Sequence, residues 1–438
     1  MTTPQDATQA FTIEAFQNPY LAPGSERVDA IVSVTAAGTT QAARPLLLGF
    51  VVDNSGSMHG PRILAVRRAV ETAIGLLDDR SGFFVVSFNT YSRLIVRPVR
   101  ATDEARQRAL SELQTLVADG GTAMSTGLAA ARSLFAASPE AIGQCIFLTD
   151  GKNESEASSA VELELRRCAG IFTCDCWGVG TSWQVGEVQM IARALLGKAS
   201  LIPEPDGIEA AFREAVAKAQ SKSMKNVRFR VWTPASAEVI SFKQVSPTIE
   251  DFTARAVQVN PQVREYDTGS WGTGEARDYQ VALRVKAGGV GDQMLAARPS
   301  LVYTGQDGAE MEVRAPGARV LASWTADDAL SSRLDSTVAH YNGQGELAEA
   351  IQQGLEARER GNEAAATTLL GRAVQLAHES GNTDMTTRLT KVVDVLDPAA
   401  GTVLLKKSVN KVATMDLELE STTTRKARRQ GAGEGSGS

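Results

Sequence analysis

Residues 46–220 alternate short, nearly continuous apolar runs with amphipathic stretches, and this alternation restricts the possible folds more than any other feature of the chain. The strand candidates are LLLGFVVD, GFFVVSFN, CIFLTD and FTCDCWGVG, separated by helical segments such as ILAVRRAVETAIGLLDD and AMSTGLAAARSLFAA. A strand that is apolar throughout has to be covered on both faces. The pattern therefore predicts a parallel sheet between two layers of helices. In such α/β folds ligands bind beyond the carboxyl ends of the strands, where the strand order reverses. Asp53 and Asp150 each stand at the end of such a strand, so both are expected on one rim.

The grammar changes on either side. After about residue 224, NVRFRVWTP, AEVISFKQV, RDYQVALRVKA and ARPSLVYTG read as strands parted by Gly, Pro and Asp turns. Without long helices between them they predict an antiparallel sandwich. The early segment FTIEAFQNPYLAPGSERVDAIVSVTAA has the same character, which makes the α/β unit an expected insertion in a discontinuous β domain. From about residue 328 the segments LAEAIQQGLEARERG, NEAAATTLLGRAVQLAHESG and DMTTRLTKVVDVLD are amphipathic and bounded by Gly, Asn or Asp. They predict a small helical stack, similar to a single tetratricopeptide-like unit. The expected organisation is an N-terminal β segment over 1–45, an α/β domain over 46–222, a β-sandwich over 223–325, helices over 326–397 and a flexible tail over 398–438.

A length of 438 residues suits several domains, and 43% hydrophobic with 22% charged residues is ordinary for a globular protein. A formal charge of −6 gives no general pull towards nucleic acid. LLLGFVV stops at Asp53, short of the roughly 18–20 apolar residues a membrane span needs. MTTPQDATQAFTIEAF has neither a basic nor an apolar leader region, so a cytoplasmic location is expected. Of the four cysteines, Cys145, Cys168, Cys174 and Cys176, the last two are spaced by one residue. A thiophilic metal or a redox pair is one reading of them, and small residues on a buried strand is the other.

The chemistry concentrates where LLLGFVVD runs into NSGSMHG. Asp53, Ser55 and Ser57 leave the strand with two-residue spacing, which can turn both hydroxyls inward. Carboxylate and hydroxyl oxygens are hard ligands suited to Mg²⁺ or Mn²⁺. Mg²⁺ takes six oxygens, more than one short loop supplies. Two further loops can contribute: DGGTAMSTGL offers Thr122 before a helix, and FLTDGKNE offers Asp150 before Gly151. Taken alone, Asp53 could instead cap the helix near Pro61, with the serines making local turns. Three loops on one rim favour a cation site.

DNSGS matches the D-x-S-x-S motif of von Willebrand factor A domains, and with Thr122 in GGT and Asp150 in LTDG it resembles an intact metal-ion-dependent adhesion site. The resemblance covers about residues 46–220 and implies a doubly wound, Rossmann-like α/β fold. It further implies that Ser55, Ser57 and Thr122 coordinate Mg²⁺, or Mn²⁺ or Ca²⁺, while Asp53 and Asp150 act through water or hydrogen bonds. A position is left for an Asp or Glu of a protein partner. The outer parts resemble, loosely, bacterial proteins of the inter-alpha-trypsin-inhibitor or calcium-activated-chloride-channel-like kind, here of an actinobacterial-like type.

Binding rather than catalysis is the expected function. A serine hydrolase elbow needs G-x-S-x-G, a haloacid-dehalogenase-type site needs an acid where Ser55 stands, and His59 lacks an evident orienting carboxylate. Metal-assisted hydrolysis is the lesser alternative. In the tail, an acidic DLELES leads through Thr422, Thr423 and Thr424 to RKARR. The layout looks similar to phosphothreonine tails read by forkhead-associated domains in actinobacterial kinase pathways. DLELES could also be added to a sheet edge as a strand. The expectation is a metal-dependent interaction scaffold, with Ser/Thr phosphorylation signalling as one setting for it; an adaptor for an AAA+ ATPase is the alternative.

Overall fold

A computed structural model describes residues 10–37, 44–305 and 307–427. Its six-stranded sheet runs in the order Ser92–Arg100, Gly82–Phe88, Leu46–Asp53, Ile142–Thr149, Thr173–Val179, Ala199–Ile202. Five strands are parallel; Ser92–Arg100, which the apolar pattern did not single out, is an antiparallel edge. Its burial is confined to the middle, since SRLIVRPVR carries three arginines that stay solvated at the edge.

Leu46–Asp53 is central and buried along its whole length. Leu46, Leu48, Phe50 and Val52 face a layer formed by the helices Pro61–Leu76, Asp103–Leu113 and Ile208–Gln220. Leu47 and Val51 face the layer of Met124–Ala136, Ser158–Cys168 and Val185–Ala194. Gly49 is required here: a Cβ would stand 2.3 Å from Phe84 Cζ and 2.8 Å from Phe135 Cζ. The strand order reverses between Leu46–Asp53 and Ile142–Thr149, the two strands that lead into Asp53 and Asp150.

Strand Lys222–Trp232 follows helix Ile208–Gln220 after one residue and enters a two-sheet sandwich. One sheet is ordered Phe11–Gln17, Arg27–Ala36, Ala276–Val285, Ala237–Ser246, Glu250–Asp251. Arg27–Ala36 pairs antiparallel with Ala276–Val285, Thr35 opposite Ala276 and Arg27 opposite Arg284. Chain segments on both sides of the α/β unit thus share one sheet. The second sheet is built around Lys222–Trp232 and Gln293–Thr304, and it includes the short N-terminal strand Tyr20–Leu21. Phe229, Phe242, Tyr266 and Tyr279 form the aromatic centre between the sheets, with the Phe242 and Tyr266 rings 4.0 Å apart. The sandwich and the α/β unit meet where Lys225 Nζ donates to the Pro139 and Ala141 carbonyls at 2.5 and 2.7 Å.

Helices Ser336–Glu359, Glu363–Glu379 and Thr383–Val392 make the helical layer. The repeated Gly-Asn pairs are its punctuation. Gly361 and Gly381 take positive φ after each helix, and the side chains of Asn362 and Asn382 accept from Ala365 N and Met385 N to start the next. DMTTRLTKVVDVLD was expected to be helical throughout, but its end, Val393–Asp397, is a strand paired with Thr402–Leu405.

The tail expectation is corrected more broadly. Residues 398–427 are structured, with the strand Thr402–Leu405 and a helix over Lys411–Glu420; the rest, 428–438, lies outside the described residues. DLELE is helical rather than an added strand. On a helix, residues two apart point about 200° apart while residues four apart share a face. Met415 and Leu419 therefore enter the core of the α/β unit, and Leu417 enters the core of the helical layer. An alternation that looks strand-like comes from a helix wedged between two cores.

Thr422, Thr423 and Thr424 were expected to be accessible, and all three are half-buried. The Thr422 carbonyl accepts from Ile249 N at 2.8 Å, Thr423 bridges Thr248, and Thr424 Oγ1 donates to the Val245 carbonyl at 2.6 Å. Arg425 N donates to Gln344 Oε1 at 2.8 Å. A reader of phosphothreonine would have to detach this segment from the sandwich first. No helix among the described residues is long and apolar enough to cross a membrane.

Candidate metal centre

Asp53 closes its strand fully buried, so its carboxylate needs donors. Ser55 N donates to Oδ1 at 2.7 Å and Thr149 Oγ1 donates to Oδ2 at 2.6 Å. Burial nevertheless dominates and pushes this carboxyl up to about 6, against the hydrogen bonds from Ser55 and Thr149. Asp150, also fully buried, accepts from Ser57 Oγ at 2.5 Å on Oδ1 and from Arg62 Nη1 at 2.6 Å on Oδ2.

The hydroxyls converge. Ser55 Oγ and Ser57 Oγ are 3.0 Å apart. A Cβ built on Gly151 would stand 3.2 Å from Thr122 Oγ1, 3.5 Å from Ser57 Oγ and 4.0 Å from Ser55 Oγ. Three hydroxyl oxygens thus surround a small cradle kept open because residue 151 has no side chain. All five residues singled out in the sequence, Asp53, Ser55, Ser57, Thr122 and Asp150, meet at this rim. Ser55 and Thr122 are buried, whereas Ser57 is exposed. Hard neutral oxygens in front of two carboxylates form a donor set that fits Mg²⁺ or Mn²⁺. Ser55, Ser57 and Thr122 would hold such an ion directly, with Asp53 and Asp150 orienting them. Among the described residues, no cluster of three or more His, Cys, Asp or Glu side chains is placed to hold a metal. Any cation here would rely on hydroxyls.

The loops are tied to one another as well as to their strands. Gly56 N donates to the Gly120 carbonyl at 2.9 Å, and Asp119 N to the Asn54 carbonyl at 2.7 Å. Thr122 is clamped on both sides: its N–H donates to Ser155 Oγ at 2.9 Å and its carbonyl accepts from Ser155 N at 3.0 Å. Gly121 permits that approach, since a Cβ there would lie 2.1 Å from Ser155 Oγ. Glu156 Oε1 accepts from Ser125 N at 2.8 Å, capping the helix that follows Thr122.

Sequence reasoning missed Arg62, Thr149, Ser155 and Glu156. Arg62 left one signal. A cation in the first turn of a helix opposes the macrodipole, which suggests a carboxylate from elsewhere. Ser155 and Glu156 left none, because their partners come from another loop. The cysteines lie away from this rim. All four are buried, Cys174 and Cys176 with Sγ atoms 3.7 Å apart, and burial raises the Cys145 and Cys176 thiols. Their side chains fill the apolar layer between the sheet and its helices.

Comparison with known proteins agrees with this architecture. Residues 47–201 match the von Willebrand factor type A domain, and residues 375–421 match the von Willebrand factor type A C-terminal domain. The C-terminal match includes the helix wedged between the two cores. A solved von Willebrand factor type A protein from Catenulispora acidiphila is 37% identical, with 97% of this chain and 99% of that chain covered at a TM-score of 0.89. The ArnB paralog VWA2 from Sulfolobus acidocaldarius shares the fold at 15% identity and a TM-score of 0.63, covering 95% and 98% of the two chains. An uncharacterized Synechocystis protein is 26% identical over 249 residues, 56% of this chain. The chain spans 59% of that relative's length. By its α/β core, its C-terminal segment and its full-length likeness to the Catenulispora structure, this chain belongs to the von Willebrand factor type A family.

Proposed function

We propose that this protein is a metal-dependent interaction scaffold whose rim captures a carboxylate of a protein partner through Mg²⁺ or Mn²⁺. The observation that carries the reading is the cradle at Gly151, where Ser55, Ser57 and Thr122 bring three hydroxyl oxygens together in front of Asp53 and Asp150. When bound, a divalent ion held mainly by neutral oxygens and water would keep much of its charge and attract an Asp or Glu side chain. The chain's own part is to hold the hydroxyls in place. Thr149 and Ser55 N fix Asp53, Ser57 is fixed on Asp150, and Ser155 fixes the Thr122 backbone. This is a binding site in which no bond of the partner need break.

The test is affinity purification from the source organism with the full chain, run with Mg²⁺ and with EDTA. The Ser55→Ala, Ser57→Ala double variant should keep its melting temperature, bind Mn²⁺ at least tenfold more weakly by calorimetry, and lose the partners that EDTA releases. Identical partners in all arms would sink the reading.

A further inference from the structure

Arg62 is a cation already resident at the rim. Its Nη1 lies 2.6 Å from Asp150 Oδ2 and 3.1 Å from the Ser57 carbonyl. Its side chain is one-third exposed, whereas that of Asp150 is fully buried. Ser57 Oγ occupies the other oxygen of the same carboxylate. Two formal negative charges, Asp53 and Asp150, are thus set against one fixed positive charge within the shell of the cradle.

We infer that Arg62 is the specificity-determining residue of this site, a permanent second cation that weakens divalent-ion binding and strengthens capture of a carboxylate. The inference rests on the proposed metal-dependent reading and extends it to what the loaded site prefers. With Arg62 in place, a divalent ion enters a shell of formal charge −1 and leaves it at +1, which one carboxylate neutralises. Without Arg62, the ion would enter a shell of −2 and leave it neutral, with little long-range attraction for an anion. Arg62 also holds Asp150 Oδ2 in competition with water or an ion, and its guanidinium has donors free of Asp150 that an incoming carboxylate can use. The site is accordingly tuned to a singly charged carboxylate, as on an Asp or Glu side chain. A purely structural Arg62 would give a different result: its loss would loosen the loops and weaken both ligands together.

The experiment measures two affinities in low salt on the full chain. Mn²⁺ binding is followed by electron paramagnetic resonance of the free ion, and acetate binding to the Mn²⁺-loaded protein by water-proton relaxation. Arg62→Gln should bind Mn²⁺ about tenfold more tightly and acetate about tenfold more weakly, and added salt should shrink both changes. Arg62→Lys should restore most of the wild-type behaviour towards both. Mn²⁺ affinity unchanged or reduced in Arg62→Gln would overturn the inference while leaving the metal-dependent reading intact, as would acetate binding that is unchanged. Failure of wild type and both variants to take up any Mn²⁺ would overturn the metal-dependent reading itself, and this inference with it.

Discussion

Replacing Gly151 with alanine inserts one methyl group into the cradle and changes nothing else. The backbone there does not require a left-handed conformation, so alanine is not strained by φ. The new Cβ would lie 3.2 Å from Thr122 Oγ1, a few tenths of an ångström closer than ordinary contact, and 3.5 Å from Ser57 Oγ. Thr122 cannot retreat freely, because Ser155 holds its N–H and its carbonyl. Ser57 need not move, because 3.5 Å is ordinary van der Waals contact. The stability cost therefore falls at the low end of overpacking, about 1 kcal/mol, or roughly 2–4 °C in melting temperature. Ion binding suffers more, because the methyl occupies the space on which the three hydroxyls converge. A loss of at least tenfold in Mn²⁺ affinity, about 1.4 kcal/mol, is expected by calorimetry. A variant that melts near wild type and binds Mn²⁺ equally well would refute the idea that these donors act together at Gly151.

Two further predictions concern the framework. Burial opposes ionisation of Glu275, but Arg277 and Lys222 beside it outweigh burial and hold its carboxyl down to about 2. A carboxylate held down in this way stabilises the fold above its unfolded value of about 4.5 and loses that contribution as pH falls towards 2. Glu275→Gln should cost ~3 kcal/mol at pH 7 in urea unfolding, and the gap to wild type should narrow below about pH 4.5. Leu417, fully buried in the helical layer, should cost about 2–5 kcal/mol when changed to alanine, whereas the same change at Leu404, 56% exposed, should stay within about 0.5 kcal/mol. Equal effects at the two leucines would contradict the wedged position of the C-terminal helix.

Much of the site was legible in the chain because its residues belong to short local patterns. Asp53 closes one strand and Ser55 and Ser57 follow it, Asp150 follows another, and Thr122 precedes a helix, so two strand ends and one helix start bring them to one rim. Their partners were not legible. Arg62 meets Asp150 across 88 residues, and Ser155 meets Thr122 across 33. A hydrogen bond between loops leaves no periodicity in either. The edge strand Ser92–Arg100 escaped notice because an edge buries only part of its length.

Sequence by itself determined the α/β layering and which oxygen-bearing side chains gather at the rim, since apolar strands must be covered and residues that leave their ends share one side of the sheet. Only the tertiary structure decided the fate of residues 398–427. Met415, Leu417 and Leu419 look like a strand or a linker until two separate cores exist to receive opposite faces of one helix. Local spacing records how a segment can bury its apolar groups. It does not record how many surfaces the rest of the chain will bring to it.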